Sequence, residues 1–258
     1  MLSRKQAFRS GIFIDLTIEK GKMAMKKSWV LVFTVAVLLG LSGMADADLT
    51  KIGTASYDSN GDGTKENFNL IYEDDSIYGG LVWLDYTKSA GSWLNQVNWA
   101  SGLGGDDLTV TLDPGYTTTI DWSTGWRLPS AGDSPEPEYN QTTSEMGHLF
   151  YESLGNYSIV VPDPDGKYGL QNTGDFDNLQ TDFYWSGTGY SPDPLNAWYF
   201  YFIYGYQGYA SSEYFDSCAL AVRSGDVSAV PEPATMLLLA SGLAGLGAMR
   251  KGIRRRRG

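Results

Sequence analysis

The chain has 258 residues, one cysteine, one histidine and a formal charge of −11. Between Asp48 and Val230 stand 6 Lys or Arg against 26 Asp or Glu, a balance that repels nucleic acid and anionic polysaccharide unless divalent cations bridge them. Those roughly 180 residues suffice for one domain with a real core and hardly for two, and Cys218 alone excludes an internal disulfide and reads as a buried apolar filler.

At the amino end, Lys26 and Lys27 precede the apolar stretch Trp29 to Leu41 and the small-residue site Ala45-Asp46-Ala47. A charged, an apolar and a small-residue region in that order make a secretory signal peptide, here cleaved after Ala47. The apolar stretch is shorter than the ~20 residues of a membrane span, which disfavours an uncleaved anchor. Residues 1–22 are polar and basic, ahead of a good signal start at Met23 or Met25, and read as an over-extended start. The organisation expected is a signal peptide over 1–47, a single domain over 48–228 and a C-terminal sorting segment over 229–258.

Within the domain, Leu49 to Tyr57 and Phe68 to Tyr72 predict two short strands around an acidic, Gly-rich turn. Leu81 to Tyr86 alternates poorly but is bulky enough for a buried strand. From Ser89 to Leu103 the residues Trp93, Leu94, Val97, Ala100 and Leu103 recur at helical spacing, and Gly104-Gly105 ends the helix. Leu108 to Leu112 alternates cleanly before the turn Asp113-Pro114-Gly115. A second helix is expected near Thr142, where Thr142-x-x-Glu145 fits a capping box and Met146, Leu149, Phe150 and Leu154 face inward. Trp198 to Tyr204 and Ala219 to Arg223 read as late strands, joined through the Gly-Tyr-rich stretch Gly205 to Tyr209.

Trp83-Leu84-Asp85, Trp93-x-x-x-Val97-Asn98-Trp99-Ala100, Gly125-Trp126-Arg127-Leu128-Pro129-Ser130, Ser144-Glu145-Met146, Tyr184-Trp185-Ser186-Gly187, Ala197-Trp198 and Ala219-Leu220-Ala221-Val222-Arg223 follow one another. This succession, over roughly residues 71–227, resembles the DUF1566 family, also called the Lcl C-terminal domain. The resemblance implies an α+β, C-type-lectin-like fold: two helices, a small twisted antiparallel sheet and long loops, flanked here by the signal peptide and a sorting helix. Many members carry further cysteines beside the first helix and in the closing strand. This chain has only Cys218, so any family disulfide is absent.

Residue by residue, Trp126 and Leu128 read as core and Pro129 as a strand stop. Arg127 between them is expected to place its planar fork on a buried carboxylate, Glu145 or Asp85, as a structural staple. Trp185, Trp198 and Arg223 belong to the same structural set, since large rings mostly build cores. The loop tyrosines Tyr204, Tyr206 and Tyr209, with glycine neighbours, are the candidate ligand contacts, because tyrosine recognises partners at low entropic cost.

Asp58, Asn60, Asp62 and Thr64 place oxygens at alternate positions, with Gly63 sixth in the run. That is the first half of an EF-hand calcium loop. The twelfth position is Asn69 rather than Glu, with Glu66 as a substitute, so weak calcium binding and a plain acidic turn both stay open. Catalysis has little to stand on: His148 is the sole histidine, no Ser–His–Asp set can be placed around it, and Cys218 has no evident activating base.

The carboxyl end carries Val230-Pro231-Glu232-Pro233-Ala234-Thr235, an apolar run from Met236 to Met249, and the basic cluster Arg250, Lys251 and Arg254 to Arg257. The basic end favours the cytoplasmic side. The fourteen-residue run is short for a permanent span. This tail resembles a PEP-CTERM sorting signal, with Pro231, Glu232 and Pro233 as its tripeptide. The resemblance implies processing by an exosortase, a Gram-negative host that makes extracellular polysaccharide, and a passing stay in the inner membrane. The expectation is a non-enzymatic, exported surface or matrix protein binding a glycan or a surface protein, calcium being its one candidate cofactor. The alternative is a secreted enzyme acting on polysaccharide on a lectin-like scaffold.

Overall fold

The computed structural model describes residues 48–74 and 78–230. The signal segment, and Pro231, Glu232 and Pro233 with the rest of the tail, lie outside them. In chain order the elements are β1 (Asp48–Tyr57), β2 (Glu66–Asp74), β3 (Leu81–Gly91), α1 (Trp93–Gly102), β4 (Leu108–Leu112), β5 (Tyr116–Thr118), α2 (Glu145–His148), β6 (Phe183–Gly189), β7 (Asn196–Tyr201), β8 (Tyr206–Ser211), β9 (Ser217–Ser224) and β10 (Val227–Ala229). The helix α2 runs on into a π-helical turn over Leu149–Ser153. Among the described residues, no helix is long and apolar enough to cross a membrane.

Eight strands form one mixed sheet in the order β4-β1-β2-β3-β9-β6-β7-β8, and β10 pairs with β5 apart from it. Neighbours are antiparallel except β6 and β9, which run parallel at Tyr184 and Cys218. This overturns the expected C-type-lectin-like α+β fold with a small sheet. The stretch Gly205 to Tyr209, read as a connection, supplies most of strand β8, and Tyr184-Trp185-Ser186-Gly187 lies within strand β6. Glycine weakens a strand in isolation, but here Gly208 lets a ring pass. A Cβ at that position would stand 2.7 Å from the Tyr199 hydroxyl and from the Tyr206 ring.

Both faces of the central strands are covered, which is why Leu81 to Leu84 and Cys218 to Val222 read as continuous apolar runs rather than alternations. One face packs Val82, Leu84, Ala219, Ala221 and Trp185 against Ala100 and Leu103 and against Trp126 and Leu128. The other packs Leu81, Trp83, Leu220, Val222 and Tyr184 against Met146, Leu149, Phe150 and Leu154 and against Phe176 and Leu179.

The two helices differ in detail from their sequence patterns. Helix α1 starts at Trp93, because Ser89 to Gly91 still belong to β3, and Leu94 is exposed while Gln96 is buried. The buried Gln96 amide donates to the carbonyls of Ser89 (2.7 Å) and Ser217 (3.0 Å), tying α1 to both strands beneath it. The cap of α2 is Ser144 rather than Thr142: its hydroxyl accepts from the Gly147 N–H at 3.1 Å. Glu145 cannot reach back to close a capping box because its carboxylate is taken by Arg127.

Candidate functional site

Arg127 pairs with Val222 through both backbone groups at 2.9 Å, so the Trp126–Leu128 segment fills the side of β9 that β6 leaves beyond Cys218. From there its guanidinium meets the buried Glu145 carboxylate in two parallel contacts of 2.6 Å. Glu145 Oε2 also accepts the Ser130 N–H at 2.7 Å, and the Glu145 N–H donates to the Ser130 carbonyl at 3.0 Å. Planar fork and carboxylate match, and the loop before α2 is fixed to the edge of β9. Trp126, Leu128 and Pro129 are buried beside it, and the Pro129 carbonyl accepts the Gly187 N–H at 2.7 Å. A cleft of about 260 Å³ opens on Arg127, lined by Val97, Ser101, Ser130 and Thr188.

Arg223 leaves β9 in the other direction. Its Nη1 donates to the carbonyls of Asp121 and Thr124, and its guanidinium lies 5.5 Å from the Trp122 ring centre. Burial holds its pKa below the usual arginine range. Arg223 therefore organises a loop, as Arg127 does, and neither presents a free charge to a ligand.

Of two further buried carboxylates, Asp85 was the other partner expected for Arg127, and only Glu73 escaped the sequence reading. Asp85 on β3 accepts the N–H groups of Asp177 (2.8 Å) and Asn178 (2.9 Å), anchoring the long segment between the π turn and β6. Burial is the main influence on its carboxyl and raises its pKa, against the lowering effect of these donors. Glu73 on β2 accepts from Trp83 Nε1 at 2.7 Å, lies 3.2 Å from His148 Nδ1, and accepts from the Ser153 hydroxyl. Serine, histidine and glutamate do meet here, but not as a nucleophilic triad. Such a triad needs hydroxyl and carboxylate on opposite ring nitrogens. In this cluster both approach Nδ1, Ser153 at 3.4 Å, and Glu73 and His148 are buried.

The Asp58 loop joins β1 to β2. Asp58 Oδ1 accepts the N–H groups of Gly61 (2.8 Å) and Asp62 (3.2 Å), and Oδ2 that of Gly63 (2.8 Å). Asn60 Oδ1 accepts the Asp62 N–H at 2.9 Å, and Asp62 Oδ1 the Thr64 N–H at 2.7 Å. The Thr64 N–H and hydroxyl hold the Asp62 carboxyl below the usual carboxylate range. The loop thus closes on its own backbone, yet each carboxylate keeps lone pairs outside these bonds. Among the described residues, no three His, Cys, Asp or Glu side chains gather as a metal-binding group.

The three predicted tyrosines do not converge. Tyr206 pairs with Tyr201 across the ladder and Tyr209 with Trp198. Three residues apart on one strand, they point to opposite faces. Tyr206 packs on Tyr139 (4.9 Å between ring centres) and Tyr204 between Tyr201 (5.0 Å) and Tyr168 (6.3 Å), both half-buried. Tyr209 stands apart. Its ring lies parallel to Tyr190 at 3.8 Å and 12°, while the buried Trp198 meets both rings edge-on at 5.4 and 5.6 Å. Tyr209 is still 41% exposed. This braced stack is the one candidate ligand contact whose geometry presents a held aromatic ring to solvent. Tyr190 was missed because its partner lies across two strands; only the strand assignment of Tyr206 to Ser211 would have revealed it.

The PEP-CTERM protein-sorting motif matches residues 229–251. The match makes the chain an exosortase-processed protein, exported and sorted to the cell envelope or surface of a Gram-negative bacterium. No curated protein matches the chain, and no solved structure does. The comparisons offer no evidence for a DUF1566 domain.

Proposed function

We propose that the domain is a non-enzymatic binding module, exported by its signal peptide and sorted by its tail to the extracellular polysaccharide layer, where it holds a glycan. The observation behind this reading is the Tyr190–Tyr209 stack on Trp198 at the outer strand of the sheet. A ring already locked by two neighbours loses little entropy on binding. Its electron-rich face also complements the C–H groups of a sugar ring. An acidic domain favours neutral sugars, or anionic ones bridged by a divalent cation. Calcium at Asp58, Asn60, Asp62 and Thr64 is the cation this reading assigns, bound weakly because the ligand set is incomplete.

The secreted-enzyme reading would need a reactive constellation, and the Ser153–His148–Glu73 geometry argues against the best available one. A glycan array probed with the secreted protein, with and without calcium, tests the proposal. Retention on specific glycans that is lost in Tyr209→Ala supports it. No retention in either condition, together with cleavage of the host's polysaccharide, would replace it with the enzyme.

A further inference from the structure

The sorting motif begins inside the fold. Its first matched residue, Ala229, is the last residue of β10 and pairs with Tyr116 of β5. The next, Val230, donates its N–H to the Gly115 carbonyl at 2.8 Å. The domain therefore grips the chain up to the residue before Pro231. Pro231 and Pro233 carry no N–H, so an enzyme that reads the tripeptide through backbone bonds finds its amino-side donors on Val230 and Ala229. Substrates taken as an added strand are held by such groups, and the turn before β5 already occupies the one on Val230.

The grip is also uneven. Val227 is buried in the core, and its N–H bonds the Tyr72 hydroxyl. Ser228, Ala229 and Val230 expose their side chains and are held by ladder bonds alone. We propose that Ser228–Val230 is part of the processing enzyme's substrate segment and is peeled from β5 before the tripeptide can be seated, with Val227 as the point where peeling stops. This rests on exosortase processing of the tail. It adds that the folded domain limits access to the tail, and that the substrate extends inward past the tripeptide.

Ser228 and Thr117 are direct partners in the β5–β10 register, and both are exposed. Opposed antiparallel residues have Cα atoms about 4.5–5.5 Å apart, within reach of a disulfide. The test expresses the full chain in its host with Thr117→Cys and Ser228→Cys together, and reads the carboxyl-terminal mass of the exported protein. The oxidised double variant is expected to keep its tail, and both single variants to be processed as the natural chain is. A reductant added to the cells should restore processing. So should six Gly/Ser residues inserted between Val230 and Pro231 of the locked protein. Processing of the locked protein at the natural rate would overturn the proposal, as would a block that the spacer does not relieve. A natural chain that keeps its own tail would overturn the processing reading along with it.

Discussion

Arg127 and Glu145 face each other with two nitrogen–oxygen distances of 2.6 Å, one partner 39% exposed at its side chain and the other 4%. The asymmetry decides how each substitution behaves. Removing Arg127 strands a buried carboxylate that retains the Ser130 N–H as a donor. Breaking a fully buried pair costs about 3–5 kcal/mol, and the exposure of Arg127 lowers the expected loss for Arg127→Ala to about 2–3 kcal/mol. Arg127→Lys keeps the charge but not the fork and should recover less than half of that. Urea melts of the mature domain measure both, and equal stability of Lys and Arg variants would refute a bidentate role.

The glycan proposal separates surface from core. Tyr209→Ala should weaken retention by about tenfold or more, as loss of an anchoring aromatic does, while stability changes by less than about 1 kcal/mol. Tyr184→Ala removes a fully buried ring and should cost about 3–5 kcal/mol. If Tyr209→Ala unfolds the domain instead, the stack is structural and the platform reading fails.

Burial pushes the Cys218 thiol up to about 11, with the Asp182 charge adding to the effect. At neutral pH the native protein should present almost no thiolate, the reactive form. A thiol reagent near pH 8 should therefore label it only at the rate at which the protein opens, with full labelling in denaturant. Fast native labelling would contradict the packing around β9.

Asp85 supplies a pH test. Its carboxyl is raised in the folded state, so its contribution to stability is greatest below the unfolded value, near 3.8. It falls as pH rises through the folded value. Asp85→Asn has no such titration and loses one of the acceptors serving Asp177 and Asn178. The variant should be less stable by about 1–3 kcal/mol at neutral pH. The gap should widen in melts at about pH 3, and a gap that narrows on acidification would reverse the assignment.

For calcium, the expected effect is a small rise in melting temperature at millimolar concentration, as ligand binding to the native state stabilises it by RT ln(1 + [L]/Kd). Asp62→Ala should abolish the rise. A chain that melts identically with calcium and with chelator leaves the Asp58 loop as a backbone-closed turn.

Much of the local structure was legible. The strands around Leu81 to Tyr86 and Ala219 to Arg223 carry apolar runs that suit a sheet buried on both faces, and Leu49 to Tyr57 was legible from its flanking turn. The bidentate partner of Arg127 was among the two candidates because a buried fork needs a carboxylate. The architecture was not legible. Gly205 to Tyr209 carries turn-forming glycines, and its strand character comes from the ring of Tyr199 lying over Gly208, a cross-strand fact without a local signature. Glu73 was hidden likewise: its partners lie 10, 75 and 80 residues away.

The placement of β9 carries a consequence for timing. Strands β4, β1, β2 and β3 form one half of the sheet, β6, β7 and β8 the other, and β9 is the strand that joins them. The joining strand is the last of the eight in the chain. Neither half can complete its hydrophobic layers until Ser217 to Ser224 has arrived, and pairings this distant are slow to form. An exported chain therefore reaches its final shape only after nearly all of the domain has crossed, with the sorting tail close behind. Pro231 follows Ser224 by only seven residues, so the strand that completes the sheet and the start of the tripeptide emerge almost together.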